Sequence, residues 1–95
     1  MVERVILERH LEGYFTTQCK KLGLLSLKLH VRFARGWPDR VVPLKDGRTL
    51  WIELKRPGGK TTPLQDKVHE QVRARGHLVY VLDSKEGIDN VLGTS

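Results

Sequence analysis

The change of hydrophobic period between residues 49 and 82 constrains this chain more than any other feature. Thr49 to Lys55 alternates, with Leu50, Ile52 and Leu54 on one face of a strand and Trp51, Glu53 and Lys55 on the other. Pro57-Gly58-Gly59 breaks the chain, and a helix starts near Thr62. Thr62 suits the N-cap and Pro63 the first helical position, with Leu64, Val68 and Val72 as the predicted buried stripe. The helix ends near Gly76, and Leu78-Val79-Tyr80-Val81-Leu82 follows as a continuous apolar run, the pattern of a buried central strand. Strand, helix and strand in that order form a crossover, expected to be parallel and right-handed.

The flanking text completes an α-β-β-β-α-β-(α) order. Residues 2–22 read as an amphipathic helix, with apolar positions at Val2, Val5, Ile6, Leu11, Tyr14, Phe15, Cys19 and Leu22, and Gly23 suits its C-cap. Gly13 weakens its middle turn by about 1 kcal/mol relative to alanine. Ser26 to Val31 alternates as a half-buried strand, and Arg40 to Leu44 is a second short strand whose Pro43 marks a strand end or sheet edge. Asp46-Gly47 supplies the hairpin to the third strand. Ser84 suits the N-cap of a last short helix over Lys85 to Leu92. The expected fold class is α/β, a mixed sheet of about four strands flanked by helices. With 95 residues, 1–95 is read as a single domain with one thin core.

Seventeen Lys and Arg against eleven Asp and Glu give a net charge of +6, which makes a polyanion, nucleic acid first, the expected partner. An anionic membrane surface is the rival, but no basic amphipathic helix with a Trp/Leu face is present and no apolar run approaches the roughly 18–20 residues of a span. The N-terminal MVERVILERHLE lacks an apolar signal core, and the single Cys19 excludes an internal disulfide and a Cys-rich zinc site. An intracellular, reducing compartment is expected.

The hairpin from the second strand to the third brings Asp39 beside Glu53, with Lys55 on the same face two residues on. Two carboxylates and an ammonium converging on a sheet edge can hold Mg²⁺ or Mn²⁺ through oxygen ligands. Such an ion polarises a phosphoryl oxygen and acidifies a bound water, while the lysine orients that water or offsets growing charge.

Pro38-Asp39, thirteen residues, then Glu53-Leu54-Lys55 resembles the PD-(D/E)XK nuclease signature. The wider text is narrower: Gly36-Trp37-Pro38-Asp39-Arg40, Trp51 to Lys60 and Pro63-Leu64-Gln65 closely resemble a stand-alone VRR-NUC (virus-type replication-repair nuclease) domain, from about Glu8 to Leu92. The resemblance implies a restriction-endonuclease-like core. It also implies a Mg²⁺- or Mn²⁺-dependent endonuclease cutting phosphodiester bonds in branched or junction-like DNA, working as a homodimer in a bacterial or phage-infected cell. The resemblance also implies a metal-proximal glutamate on the N-terminal helix about eleven residues before a helix-end glycine, which from Gly23 falls on Glu12, with Glu8 one turn earlier in reserve. Asp39 and Glu53 correspond to the metal-binding acids, the Leu54 backbone carbonyl to a third oxygen, Lys55 to the catalytic lysine and Gln65 to a helix glutamine facing the site. Arg35, Arg40, Arg56 and Lys60 are the expected nucleic-acid contacts. Where relatives often carry two glycines, this chain has Gly23-Leu24, a departure that touches only the local turn.

Plainer roles compete for several of these residues. Glu12 could be a surface acid, Asp39 a turn cap, and Lys55 a strand-end cation reaching solvent. Glu53 is harder to dismiss, because a carboxylate in the best strand costs several kcal/mol unless paired. Thr62-Pro63-Leu64-Gln65 also reads as a capping box, so a cap role and a site role compete for Gln65. Gly58-Gly59-Lys60 lacks the spacing of a phosphate-binding Walker loop. Trp37 reads as a cover for its turn rather than a base-stacking platform, and His30 as an ordinary strand residue. His10, His69 and His77 have no mutual spacing for zinc, and Arg32, Arg73 and Arg75 read as a mixture of solvated charge and phosphate contacts. A non-catalytic DNA-binding module, or a scaffold whose acids form structural ion pairs, remains an alternative to the enzyme.

Overall fold

The computed structural model describes residues 7–30 and 34–93. Helix α1 spans Glu8–Lys21, strand β1 Leu27–Lys28, β2 Arg40–Pro43, β3 Thr49–Leu54, helix α2 Pro63–Ala74, β4 Leu78–Leu82 and helix α3 Lys85–Gly93. The order is the expected one, and the strands form one mixed sheet, β1-β2-β3-β4. The first two pairings are antiparallel and β3–β4 is parallel, as a strand-helix-strand crossover requires. The expected helical residues 2–6, and Val31 at the end of the first predicted strand, lie outside the described residues.

Each face of the sheet is covered by a different set of helices. Leu11, Phe15 and Cys19 recur every four residues along α1 and pack with Leu50, Ile52 and Leu54 of β3 and with Ile88 and Leu92 of α3. On the opposite face Val68 and Val72 of α2 pack against Val79, with Trp51 at the margin. The Tyr14 hydroxyl donates to Asp89 at 2.8 Å and ties α1 to α3. Burying these side chains is worth about 1.5–3 kcal/mol each.

Three expectations are corrected. β4 is an edge strand, not a central one. Its continuous apolar run reflects helices on both faces: Val79 meets α2 while Leu82 joins the α1/α3 core, so both alternations must be apolar. β1 is only two residues long and both are exposed, because it pairs on one side with β2 alone. Leu64 is 46% exposed rather than part of the α2 stripe. The inward face of that helix is Val68, His69 and Val72 instead.

Two glycines shape the approach to the site. Gly47 has φ +93° and closes the β2–β3 hairpin, where the Leu44 amide donates to the Arg48 carbonyl at 2.8 Å. Gly36 has φ +84°, and an added Cβ would lie 2.9 Å from side-chain carbons of Leu64 and Val68. Only glycine lets the Trp37-Pro38-Asp39 turn sit this close to α2. Gly13, in contrast, has nothing within 4 Å of an added Cβ and sits in an ordinary helix. Gly36→Ala is therefore expected to destabilise the fold by about 1–3 kcal/mol. Gly13→Ala should stabilise it by up to about 1 kcal/mol. Urea denaturation midpoints of the two variants should move in opposite directions.

Candidate active site

The sheet register assembles the site. Arg40 pairs with Ile52 and Val41 with Trp51, so one step further along the hairpin Asp39 falls opposite Glu53. Directly opposed residues have Cβ atoms about 4.5–5.5 Å apart and project to the same face. That face is the α2 side, where Trp51, Glu53 and Lys55 follow one another as the alternation predicts. A cleft of about 470 Å³ opens there, lined by Glu8, Arg35, Gly36, Trp37, Asp39, Glu53, Lys55 and Gln65. Asp39, Glu53, Lys55, Gln65 and Arg35 are thus brought together from separate segments of the chain.

Glu53 is 6% exposed, and neither its Oε1 nor Oδ1 of Asp39 has a hydrogen-bond partner. Burial first, and then the charges of Asp39 and Glu8 with Lys55 opposing, push the Glu53 carboxyl up to about 7. Asp39 is also raised, first by burial and then by the charge of Glu12, with Arg40 and Lys28 opposing. A buried carboxylate, Glu53, and a half-buried one, Asp39, both with raised affinity for protons and each with an unpartnered oxygen, form a site short of positive charge.

Glu12 does not line the cleft. Its Oε1 lies 3.0 Å from Lys28 Nζ and 3.3 Å from a terminal guanidinium nitrogen of Arg40. Burial would raise its carboxyl, but hydrogen bonds and charge from Lys28 and Arg40 hold it below the ordinary value. Glu8, one turn earlier, is the α1 acid on the cleft. The difference follows from helix geometry: α1 packs on the far face of the sheet, and only its N-terminal turn reaches around to the site.

Arg40 is corrected as a nucleic-acid contact. It is 8% exposed, is ion-paired with Glu12 and lies 5.7 Å from the centre of the Phe15 ring. Arg35 lines the cleft, while Arg56 and Lys60 stand exposed beyond β3. Arg73 donates to the Val79 carbonyl and Arg75 to the Gln71 carbonyl, and Arg32 lies outside the described residues. Gln65 caps its helix, since its Oε1 accepts from the Thr62 amide at 2.9 Å and its own amide donates to Thr62 Oγ1 at 3.1 Å. What it can offer the cleft is its side-chain NH₂ group. The Leu54 carbonyl belongs to the last residue of β3, directly after Glu53. His10 closes the start of α1, its Nδ1 accepting from the Leu7 amide at 3.0 Å. Trp37 is 39% exposed and tilts on Trp51 with ring centres 5.6 Å apart.

His69 is the residue that spacing alone does not reveal. It is 1% exposed, and its Nε2 lies 3.9 Å from Glu53 Oε1 with no hydrogen-bond partner of its own. Burial and the nearby charge of Arg73 depress its basicity, which keeps the imidazole neutral. The available signal is its helical position, four residues after Gln65 and between Val68 and Val72.

Among the described residues no three His, Cys, Asp or Glu side chains are placed to hold a metal ion by themselves. A divalent ion of the Mg²⁺ type does not need three such side chains. It is commonly held by one or two carboxylates, waters and substrate phosphates. Hard carboxylate oxygens, the unpartnered Oδ1 of Asp39 among them, fit that demand, and the cleft's acids, Glu8, Asp39 and Glu53, outnumber its bases, Arg35 and Lys55.

Similarity to known proteins spans most of the chain. The chain is 39% identical over 83 residues to "Putative nuclease p44" of Acyrthosiphon pisum secondary endosymbiont phage 1, covering 87% of this chain and 89% of that protein. A solved structure titled "VRR_NUC domain" superposes with a TM-score of 0.80 at 31% identity, covering 90% of this chain and 94% of its own. No protein-family model matches the chain.

The raised carboxyl of Glu53 has a measurable sign. Its folded value of about 7 lies above the ordinary 4.5, so the folded chain keeps a proton that the unfolded chain releases. Its contribution is complete below pH 4.5 and is lost as pH rises through about 7. Without divalent metal, the wild type should lose up to about 3 kcal/mol relative to Glu53→Gln between the two ends of that window. Urea denaturation of both proteins across the window measures the difference, and a constant gap would contradict the assignment.

Proposed function

The chain belongs to the VRR-NUC family of nucleases, and from that premise we propose that it is a divalent-metal-dependent DNA endonuclease acting on branched or junction-like DNA. One observation carries the reading. A protein of net charge +6 gathers the carboxylates of Glu8, Asp39 and Glu53 in a cleft where acids outnumber bases. Phosphate would be repelled from that cleft unless a divalent cation stood between it and the carboxylates.

In the proposed mechanism Asp39 and Glu53 would hold the ion, with Glu8 as the α1 acid in the place that the resemblance gave to Glu12 and with the Leu54 carbonyl as a further oxygen. When bound, Mg²⁺ or Mn²⁺ supplies polarisation of the phosphoryl oxygen and acidification of water. Lys55 follows Glu53 on the cleft wall, and its ammonium orients the attacking water and offsets charge that builds on the phosphoryl oxygens. Gln65 presents its NH₂ group to the same space from the start of α2. Arg35 at the cleft, with Arg56 and Lys60 outside it, holds phosphates on either side of the cut and fixes the strand without reading sequence.

Homodimerisation and an intracellular location belong to the same reading. Leu22, Leu25 and Leu27 are 50%, 74% and 60% exposed around the short β1 edge, which supports a partner covering that side. No helix among the described residues is long and apolar enough to cross a membrane.

A cleavage panel of single-stranded, duplex, flap and four-way DNA, with Mg²⁺, Mn²⁺ or EDTA, tests the proposal. Metal-dependent strand scission strongest on the branched substrates is expected. Binding without scission under every metal condition would leave a non-catalytic module instead. Asp39→Asn and Glu53→Gln should reduce cleavage by at least about a thousandfold while DNA affinity holds or rises, since each removes negative charge near phosphate. Lys55→Ala should slow turnover with Mn²⁺ still bound, and calorimetry showing lost Mn²⁺ binding would contradict its role.

A further inference from the structure

We propose that His69 is a positioning residue for Glu53, its neutral imidazole donating from Nε2–H to Glu53 Oε1 and so fixing which carboxylate oxygen is turned toward the cleft. The inference rests on the proposed metal-dependent reading and adds to it a supporting layer behind the acids. Its basis is geometric. Nε2 of His69 and Oε1 of Glu53 are both buried, both lack a hydrogen-bond partner, and lie 3.9 Å apart. The side chains are 2% and 8% exposed, so water does not readily serve either atom. An orphaned buried polar atom costs about 1–3 kcal/mol, and two that face each other can relieve each other by a small approach. The 3.9 Å separation is too long for a hydrogen bond as it stands. Hydrogen bonds in active sites are often long until the site is loaded, and then tighten.

The position of His69 separates positioning from ligation. Glu53 lines the cleft and His69 does not, so the imidazole stands behind the carboxylate. It is held there by helix α2 between Val68 and Val72, which pack on Val79. The tautomer with the proton on Nε2 is the one that satisfies both orphaned atoms. A carboxylate fixed through one oxygen presents the other in a constant direction. Removing a supporting group of this kind typically weakens metal binding by about 10–100-fold.

The test uses His69→Gln and His69→Met in the full chain. The two replacements are similar in size, but only glutamine offers an N–H donor. Mn²⁺ affinity is read by calorimetry without DNA, cleavage by kcat and KM on the preferred substrate, and fold by the metal-free melting temperature. His69→Gln should stay within about threefold of wild type in Mn²⁺ affinity, and His69→Met should weaken it by about 10–100-fold and lower kcat more than it raises KM. Equal Mn²⁺ affinities for the two variants would overturn the proposal. So would an equal loss in both that spares Mg²⁺ binding, which would make His69 a nitrogen ligand. If His69→Met melts far below wild type, the glutamine variant decides: wild-type Mn²⁺ affinity and turnover support the donor role, and a loss matching that of Glu53→Gln refutes it. A wild type that neither binds Mn²⁺ nor cleaves DNA would sink the functional reading itself, whereas a binding, cleaving wild type with indifferent variants would sink only the role of His69.

Discussion

The structure turns on one costly placement, the Glu53 carboxylate buried on the third strand of the sheet. A carboxylate 6% exposed and without a partner on its inner oxygen carries a desolvation penalty that hydrophobic packing cannot offset. Everything nearby bears on that penalty. Asp39 across the hairpin makes it worse, Lys55 along the same strand eases it, and His69 stands behind with an unpartnered nitrogen. A fold selected for stability alone would place an apolar residue there, as the chain does at Leu50, Ile52 and Leu54 on the other face. Like charge that the cleft's own cations offset only in part, in a protein otherwise rich in cations, suits a site completed by something that arrives from solution.

The rest of the fold holds that strand in place. The two faces of the sheet carry different burdens. The α1/α3 face is the stabilising core, with Phe15, Ile52 and Ile88 fully buried. The α2 face is thinner and carries the site, so the crowded acids there are backed by a rigid layer on the far side. Gly36 joins the two by letting the turn that carries Asp39 press onto α2. Glu12, Lys28 and Arg40 form an ion-paired plug at the margin of the core, outside the cleft lining but close enough for their charges to act on Asp39.

Much of this was legible in the sequence, for reasons that can be stated. The period of two along β3 and the Asp-Gly hairpin set the face and register that place Asp39 opposite Glu53. The Thr62-Pro63 start of α2 was equally explicit, since cap chemistry is local. The less legible features depend on tertiary placement. Reading β4 as central confused burial by helices on both faces with burial between strands. The choice of Glu12 over Glu8 carried a family spacing along a helix, and that of Arg40 as a phosphate contact rested on its charge. Neither spacing nor charge shows that α1 lies on the opposite face, where Glu12 and Arg40 find each other. His69 escaped because a lone histidine in a helix carries no spacing signal, and only the packed structure shows what it faces.

The central claim is that the acids on the α2 face hold a divalent ion. Diffraction from Mn²⁺-soaked crystals at a wavelength that reveals anomalous scattering tests it most directly. The account predicts one strong peak within coordination distance of Asp39 and Glu53, on the side of Glu8. A map with no peak in that cleft, or with its density at Glu12 between Lys28 and Arg40, would contradict it.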